Sequence, residues 1–264
     1  MSDLLLLQNA LRETLRPRRL VIAFILLFLP PFLALIWRVL SPAASWVPGD
    51  VYDSLVAPFI FSLSLTILSV VYGTGVVSQE IEGRTIVYLL TRPFPRWRIL
   101  LVKFIAAFLV VVAVTVLSTL LVALVVFGPS GFGEAGVGGD ILALIMGAFV
   151  YGSVFLLLGT ALPRPLTYGL LFVFGWETIV PKLPGEFARV SIMTYLKVLS
   201  QREITPDTQN GFGGNLLLAF AQTPHIEISQ TEAWTILLAV AVVALVAAHW
   251  IFSVREYSPR DDSE

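Results

Sequence analysis

The residues of this sequence with the most scope for chemistry are charged side chains that lie beside or inside long apolar runs. A charge buried in an apolar medium is costly, so such a residue usually has a partner or a function. Two places meet this description: residues 78–103, called the charged segment below, and Glu177 after Phe174-Gly-Trp. The charged segment could bind a soluble protein. The Glu177 carboxylate could contact a substrate or act as a gate; alternatively, it pairs with Lys182 or caps the next helical turn.

The sequence gives little support for catalysis by the chain itself. It contains no cysteine, which excludes disulfides, thiolate catalysis and cysteine metal sites, and its two histidines argue against a multi-histidine centre. No G-x-x-x-x-G-K-[ST] motif occurs, so nucleotide binding by a P-loop is not predicted. The glycine-rich stretch 128–139 lacks the following lysine of a phosphate-binding loop, and it is predicted to be an outer loop. We therefore expect no active site, metal or cofactor in this chain.

Composition and apolar run length predict a membrane protein. The chain is 57% hydrophobic and 13% charged, its mean hydropathy is +0.86, and its apolar runs approach the roughly 20 residues that cross a bilayer. We predict an all-α polytopic fold, a single transmembrane domain with six transmembrane helices. The predicted spans are residues 20–40, 55–77, 104–127, 141–162, 166–180 and 233–254.

The regions outside the spans have distinct patterns. Residues 1–16 place leucines at helical spacing opposite Gln8, Arg12 and Glu13, which predicts an amphipathic helix lying in the membrane interface. Most lysines and arginines fall on the side of the N-terminus, whereas the loops 41–54 and 128–140 have none. The positive-inside rule therefore places both termini and the charged segment in the cytoplasm. Residues 181–232 are predicted to be extracytoplasmic, with a helical hairpin or re-entrant piece between spans five and six.

The charged segment resembles a known family signature. It includes Glu82-Gly-Arg-Thr-Ile-Val-Tyr-Leu-Leu-Thr-Arg-Pro-Phe-Pro-Arg-Trp-Arg-Ile-Leu-Leu-Val-Lys103. This stretch is similar to the acid-x-x-Gly-Thr-x-x-x-Leu-Leu-x-x-Pro-x-x-Arg pattern of ATP-binding-cassette (ABC) transporter permeases of the type-two (ABC-2) exporter family. The matching positions are Glu80, Glu82, Gly83, Thr85, Leu89, Leu90, Pro93, Arg96 and Lys103. Arg84, which separates Gly83 from Thr85, departs from the commonest form of the pattern.

The resemblance implies a function that needs a second chain. It implies that this chain is the permease subunit of an ATP-driven exporter and that the residues above, with Arg84, form a coupling helix against a separate ATPase subunit. ATP and Mg²⁺ would then be bound by that subunit. The family further implies a homodimer, or a pair with a similar permease, in the inner membrane of a prokaryotic cell, in contact with lipid and with no nucleic acid partner.

Span two and Glu177 are the candidates for substrate contact. The residues selected as a possible gate or substrate site are Phe59, Ser62, Thr66 and Glu177. Under the exporter hypothesis, the route would lie between spans two and five of two copies. Small residues on span four, such as Ala148 and Gly152, predict close helix packing. Two alternatives stay open: a membrane scaffold or assembly factor that recruits a cytoplasmic partner, and an ATP-independent secondary transporter.

Overall fold

The fold is helical wherever the computed structural model describes it. The described residues are 3–14, 17–41, 47–82, 96–129, 136–180, 185–200 and 228–254, and no β-strand occurs among them. The predicted all-α class is therefore confirmed. The predictions for residues 201–227, which include most of the outer segment, lie outside the described ranges.

The helices are numbered here in chain order. The described α-helices are α1 Asp3–Thr14, α2 Pro17–Leu40, α3 Pro48–Leu55, α4 Thr66–Glu82, α5 Arg96–Phe127, α6 Val137–Ala161, α7 Pro165–Leu171, α8 Ile192–Leu199 and α9 Gln230–Val254. A π-helical segment, Val56–Leu65, joins α3 to α4, and a second, Phe172–Glu177, follows α7. A 3₁₀ turn, Gly185–Val190, precedes α8.

Five of the described helices are long and apolar enough to cross a bilayer. They are Arg19–Leu40, Pro48–Val76, Leu100–Phe127, Val137–Ala161 and Gln230–Val254. The second begins at Pro48, before the start predicted for span two, because proline is well tolerated in the first turn of a helix. The predicted span 166–180 corresponds to α7 and the π-helical segment after it, a shorter element than the other five.

Proline and glycine set several helix ends. Gly128, with φ of 75°, follows the end of α5, as expected for a residue in the left-handed region after a helix. Leu162 is extended because it precedes Pro163, and α6 ends just before it. The next helix, α7, begins at Pro165. The chain therefore turns back between α6 and α7, which brings Gly169 and Phe172 beside Phe155 of α6.

Helices α4 and α6 approach each other closely at two glycines. A β-carbon on Gly159 would lie 2.9 Å from the carbonyl oxygen of Thr74, and one on Gly73 would lie 3.3 Å from the carbonyl oxygen of Gly152. Both glycines therefore face backbone on the opposite helix. Small residues permit this approach between membrane helices, and the prediction of close packing at Gly152 is confirmed.

Helix α8 runs along the first half of α6 in the opposite direction. A β-carbon on Gly147 would lie 2.9 Å from the Leu196 side chain, whereas one on Gly139 would lie 3.8 Å from the Leu199 carbonyl oxygen. Gly139 thus faces the end of α8 and Gly147 faces a residue nearer its middle, so the two helices are antiparallel. The beginning of α8 must therefore lie near the middle of α6.

Candidate functional site

Glu177 ends the second π-helical segment and is buried, with 5% of its surface exposed. Its carboxylate accepts three hydrogen bonds from the beginning of α8. The Ser191 hydroxyl donates at 2.6 Å, and the backbone N–H groups of Ile192 and Met193 each donate at 3.2 Å. All three donors come from consecutive residues, so one carboxylate binds one helix end.

The physical reason for this contact lies in helix geometry. The first N–H groups of an α-helix have no acceptor within the helix, and the peptide dipoles add partial positive charge at that end. Residues 191–193 are all buried, so water cannot easily supply the missing acceptors. A carboxylate provides both the acceptor oxygens and the complementary charge. From the sequence, Glu177 was interpreted as a substrate contact or gate, or else as an ion-pair partner of Lys182 or a cap on the next helical turn. The geometry supports a cap, and the element that it caps is the helix α8. Lys182 lies outside the described residues.

Tyr151 lies beside the same carboxylate. It is fully buried near the middle of α6, where its ring stacks on Phe155 at 6.0 Å between ring centroids. Its hydroxyl is close enough to interact electrostatically with Glu177. Within the described part of the chain, however, this hydroxyl has no hydrogen-bond partner of acceptable geometry. Nothing local in the sequence distinguishes Tyr151 from other aromatic residues in a span, so it was not predicted as a site residue.

Asp140 is a second buried carboxylate that the sequence analysis missed. It lies in the first turn of α6, is 1% exposed, and accepts a 2.9 Å hydrogen bond from the Tyr52 hydroxyl of α3. The Tyr52 ring also contacts Phe127 at the end of α5, with 5.3 Å between the centroids. This contact joins three helices at the end of the bundle where α3 and α6 begin. The only signal in the sequence was an acid at the edge of an apolar run, which resembled an ordinary loop residue.

The charged segment is described only at its two ends. Its first residues continue α4 as far as Glu82, and the chain becomes helical again from Arg96 in α5. Glu80, Glu82 and Arg96 therefore lie at described helix ends, but their side chains are outside the description. The residues between, which include Gly83, Arg84, Thr85, Leu89, Leu90 and Pro93, also fall outside the described ranges.

Lys103 is the one predicted coupling residue whose side chain is described. Its ammonium group lies 2.9 Å from a carboxylate oxygen of Glu13 in α1, and its side chain is 17% exposed. Lys103 thus connects α5 to the N-terminal helix. Because the Glu13 side of this ion pair is exposed, the pair adds only about 0–1 kcal/mol of stability, and its main effect is to fix orientation.

A small cleft lies next to this ion pair, where α1, α2, α4 and α5 meet. It has room of about 20 Å³, enough for a water molecule. The Arg19 guanidinium lies above the Tyr72 ring, 5.8 Å from its centroid, and it occupies the space that a side chain at Gly75 would need. Glycine at 75 therefore makes room for the arginine.

The span-two candidates lie in and after the first π-helical segment. Ser62 is exposed, Phe59 is half-buried, and Thr66 is buried. The Thr66 hydroxyl donates to the carbonyls of Ser62 and Leu63 in its own helix. Thr66 therefore stabilises the local helix, whereas Ser62 presents its hydroxyl at the surface. No hydrogen bond joins these residues to Glu177 within the described ranges.

The described residues also bear on metal binding. No group of three or more His, Asp or Glu side chains within these ranges is arranged to hold a metal ion.

A protein-family model for ABC-2 family transporter proteins matches residues 13–177, more than half of the chain. The chain belongs to the ABC-2 transporter family. A comparison with curated protein sequences found no match.

The family match places this ABC-2 transporter protein among multi-pass membrane proteins, as its long apolar helices also indicate. The matched region includes the whole charged segment and both ends of the Glu13–Lys103 ion pair. It ends at Glu177, the carboxylate that caps α8. Membership of the family also implies association with an ABC ATPase subunit, since ABC-2 transporter proteins work with one.

Proposed function

We propose that this chain is the membrane-spanning permease subunit of an ATP-driven exporter. A separate subunit hydrolyses ATP with Mg²⁺, and the charged segment forms the coupling helix that binds it. The observation that carries the proposal is the match to the ABC-2 family across this segment. No P-loop motif occurs in this sequence, which fits a permease whose energy source is a separate ATPase subunit.

The helices on either side of the charged segment are suited to transmit movement. Helix α4 continues into the segment at Glu82 and packs backbone to backbone on α6 through Gly159 and Gly73. Helix α5 leaves the segment at Arg96 and is joined to α1 by Lys103. A displacement of the segment would therefore move α4, α5 and their packed neighbours together, because closely packed helices do not deform independently.

The surface of span two supports a transport route between two copies. The exposed faces of α2 are apolar, as at Phe24 and Phe28, which is the composition expected beside lipid. Span two instead exposes Ser62, and Asp53 and Ser54 are exposed in α3 just before it. Polar groups facing lipid are costly, so this face is better suited to a second copy and a substrate path between the copies. Two copies related by two-fold symmetry would place the two faces opposite each other.

The position of helix α8 is the one expected of a re-entrant helix between spans five and six. Its first residues lie at the level of Tyr151, about 20 Å along α6 from its first residue. That depth is well inside the roughly 30 Å hydrocarbon core of a bilayer. Backbone N–H groups at such a depth need acceptors from the protein, and the Glu177 carboxylate supplies them. On this arrangement α8 closes the outer end of the bundle, and α7 with the segment after it forms span five, which brings the number of spans to six.

Charge reversal in the charged segment tests the function. The chain and its ATPase subunit are co-expressed, purified and reconstituted in liposomes, and ATP hydrolysis and ATP-dependent transport are measured. We expect Glu82→Lys or Arg96→Glu to lower both by about tenfold or more, because a repulsive pair at an interface costs several kcal/mol. Glu232→Lys in the first turn of α9 reverses a charge outside the segment and should leave both activities unchanged.

The other functional classes predict different outcomes. A scaffold would co-purify with its partner but would show no transport dependent on ATP hydrolysis. A secondary transporter would move substrate in liposomes without the ATPase subunit. Normal transport by Glu82→Lys and Arg96→Glu, at normal membrane levels, would contradict the coupling role.

A further inference from the structure

The cleft beside the Glu13–Lys103 ion pair is lined by two cations and one carboxylate. Arg19 and Lys103 supply the positive charges and Glu13 the negative one, and Thr14 and Tyr72 also line the cleft. An arginine has five N–H donors and a lysine has three, whereas this lining offers one carboxylate to accept them. An anion that enters the cleft therefore meets more donors than acceptors and more positive than negative charge.

The cleft lies where three described spans reach the same face of the membrane. Arg19 is the first residue of the span Arg19–Leu40, Gly75 lies at the end of Pro48–Val76, and Lys103 lies in the first turn of Leu100–Phe127. The first of these spans has 22 residues, or about 33 Å of helix, against roughly 30 Å for the hydrocarbon core. The cleft is therefore at the edge of that core, in the layer that contains lipid headgroups.

The room in the cleft suits one oxygen atom of a phosphate and not the whole group. Its volume of about 20 Å³ is enough for a single water molecule, and the cleft is only partly enclosed. The rest of a phosphate would remain outside, in the headgroup layer. A lipid phosphate at this depth is already held at the entrance, whereas a free phosphate ion would lose its freedom of movement on binding.

The Arg19 guanidinium is positioned for this contact by its neighbours. It lies 5.8 Å from the centroid of the Tyr72 ring, and a β-carbon on Gly75 would lie 2.6 Å from the guanidinium carbon. The Tyr72 hydroxyl donates to the Arg19 backbone carbonyl at 3.3 Å, which fixes the start of α2 against α4. An arginine that is positioned in advance loses less side-chain freedom when it binds a phosphate.

We propose that this cleft binds the phosphate group of a phospholipid, with one phosphate oxygen between Arg19 and Lys103. The phosphate competes with the Glu13 carboxylate for Lys103, because both are anions and the ammonium group lies 2.9 Å from that carboxylate. Helix α1 packs on α5, so a bound lipid headgroup contacts α1, α2 and α5 where they meet at the membrane surface.

The melting temperature of the purified full-length chain in detergent tests the site. The chain is titrated with dioleoyl phosphatidylglycerol, with dioleoylglycerol, which has the same acyl chains but no phosphate, and with inorganic phosphate at equal ionic strength. We expect a saturable rise in melting temperature with phosphatidylglycerol alone. An equal rise with dioleoylglycerol would overturn the proposal, and an equal rise with inorganic phosphate would contradict a lipid as the source of the phosphate.

Three substitutions separate this site from a general attraction of anionic lipid to positive charge. Arg19→Gln should raise the phosphatidylglycerol concentration of half-maximal stabilisation by about tenfold or more. Arg12→Gln removes an exposed positive charge of α1 outside the cleft lining and should leave that concentration unchanged. Glu13→Gln breaks the ion pair but removes the competing carboxylate, so it should lower that concentration by about threefold.

The Glu13→Gln result distinguishes lipid binding from a purely structural ion pair. A structural pair predicts a lower melting temperature without lipid and no change in the lipid concentration required. That result, or equal effects of Arg19→Gln and Arg12→Gln, would overturn the proposal. None of these measurements needs the ATPase subunit, so the proposal can fail independently of the proposed function.

Discussion

Replacing Glu177 by alanine should cost this protein at least about 2 kcal/mol of stability. The substitution leaves the Ser191 hydroxyl and the N–H groups of Ile192 and Met193 without their acceptor. Each unsatisfied buried donor costs about 1–3 kcal/mol, and this is partly offset because a carboxylate is no longer buried. We expect Glu177→Ala to lower the melting temperature and the yield of monodisperse protein in detergent, measured by fluorescence-detected size-exclusion chromatography after heating.

Glu177→Gln is the control for size and shape. The N–H groups of Ile192 and Met193 donate to different carboxylate oxygens, so the single glutamine carbonyl can accept from one of them. The Ser191 hydroxyl can rotate to accept from the glutamine amide N–H, which leaves one backbone N–H without its acceptor. Its melting temperature should therefore lie between those of the parent protein and Glu177→Ala. If Glu177→Ala were as stable as the parent, the carboxylate would not hold α8, and the capping role would be wrong.

Gly159→Leu should separate α4 from α6. Even a β-carbon at this position would lie 2.9 Å from the carbonyl oxygen and 3.3 Å from the α-carbon of Thr74, neither of which can move without the helix. Overpacking of a close contact typically costs about 1–3 kcal/mol, and leucine adds three more carbons than alanine. We therefore expect more than about 3 kcal/mol of destabilisation, and loss of protein from the membrane fraction when the chain is expressed.

Gly138→Leu adds the same side chain to the same helix without the clash. Gly138 is exposed in the first turn of α6, and a β-carbon there meets no atom within 4 Å. This variant should be expressed at the parent level. Equal expression of Gly159→Leu and Gly138→Leu would show that α4 and α6 do not approach as closely as the structure has them.

The long apolar runs made most of the fold predictable. Bilayer thickness imposes a length on each span, and proline and glycine mark where helices end, as at Pro48, Gly128 and Pro163. The boundaries were less accurate, because α3 continues the helix of span two beyond the most apolar residues. The π-helical segments could not be predicted: Pro58 lies in the first of them, but a proline in a span is equally consistent with a simple kink.

The candidate sites were predictable as residues but not as contacts. An acid in an apolar run must be satisfied, which singled out Glu177, yet its partners at 191–193 follow an intervening turn that local periodicity does not describe. Lys103 was recognised through the family pattern, but its partner Glu13 is 90 residues away. Pairing between distant helices leaves no trace in a single sequence, and Tyr151 and Asp140 were missed for the same reason.

Cross-linking from the charged segment tests most directly whether the ATPase subunit binds there. Leu89→Cys and Ser130→Cys are made separately in the cysteine-free chain, labelled with a thiol-specific photo-crosslinker, and irradiated in the reconstituted complex with the ATPase subunit. We predict a covalent adduct with the ATPase from Leu89→Cys and none from Ser130→Cys in the predicted outer loop. No adduct from Leu89→Cys, or an equal yield from both positions, would contradict binding of the ATPase subunit to the charged segment.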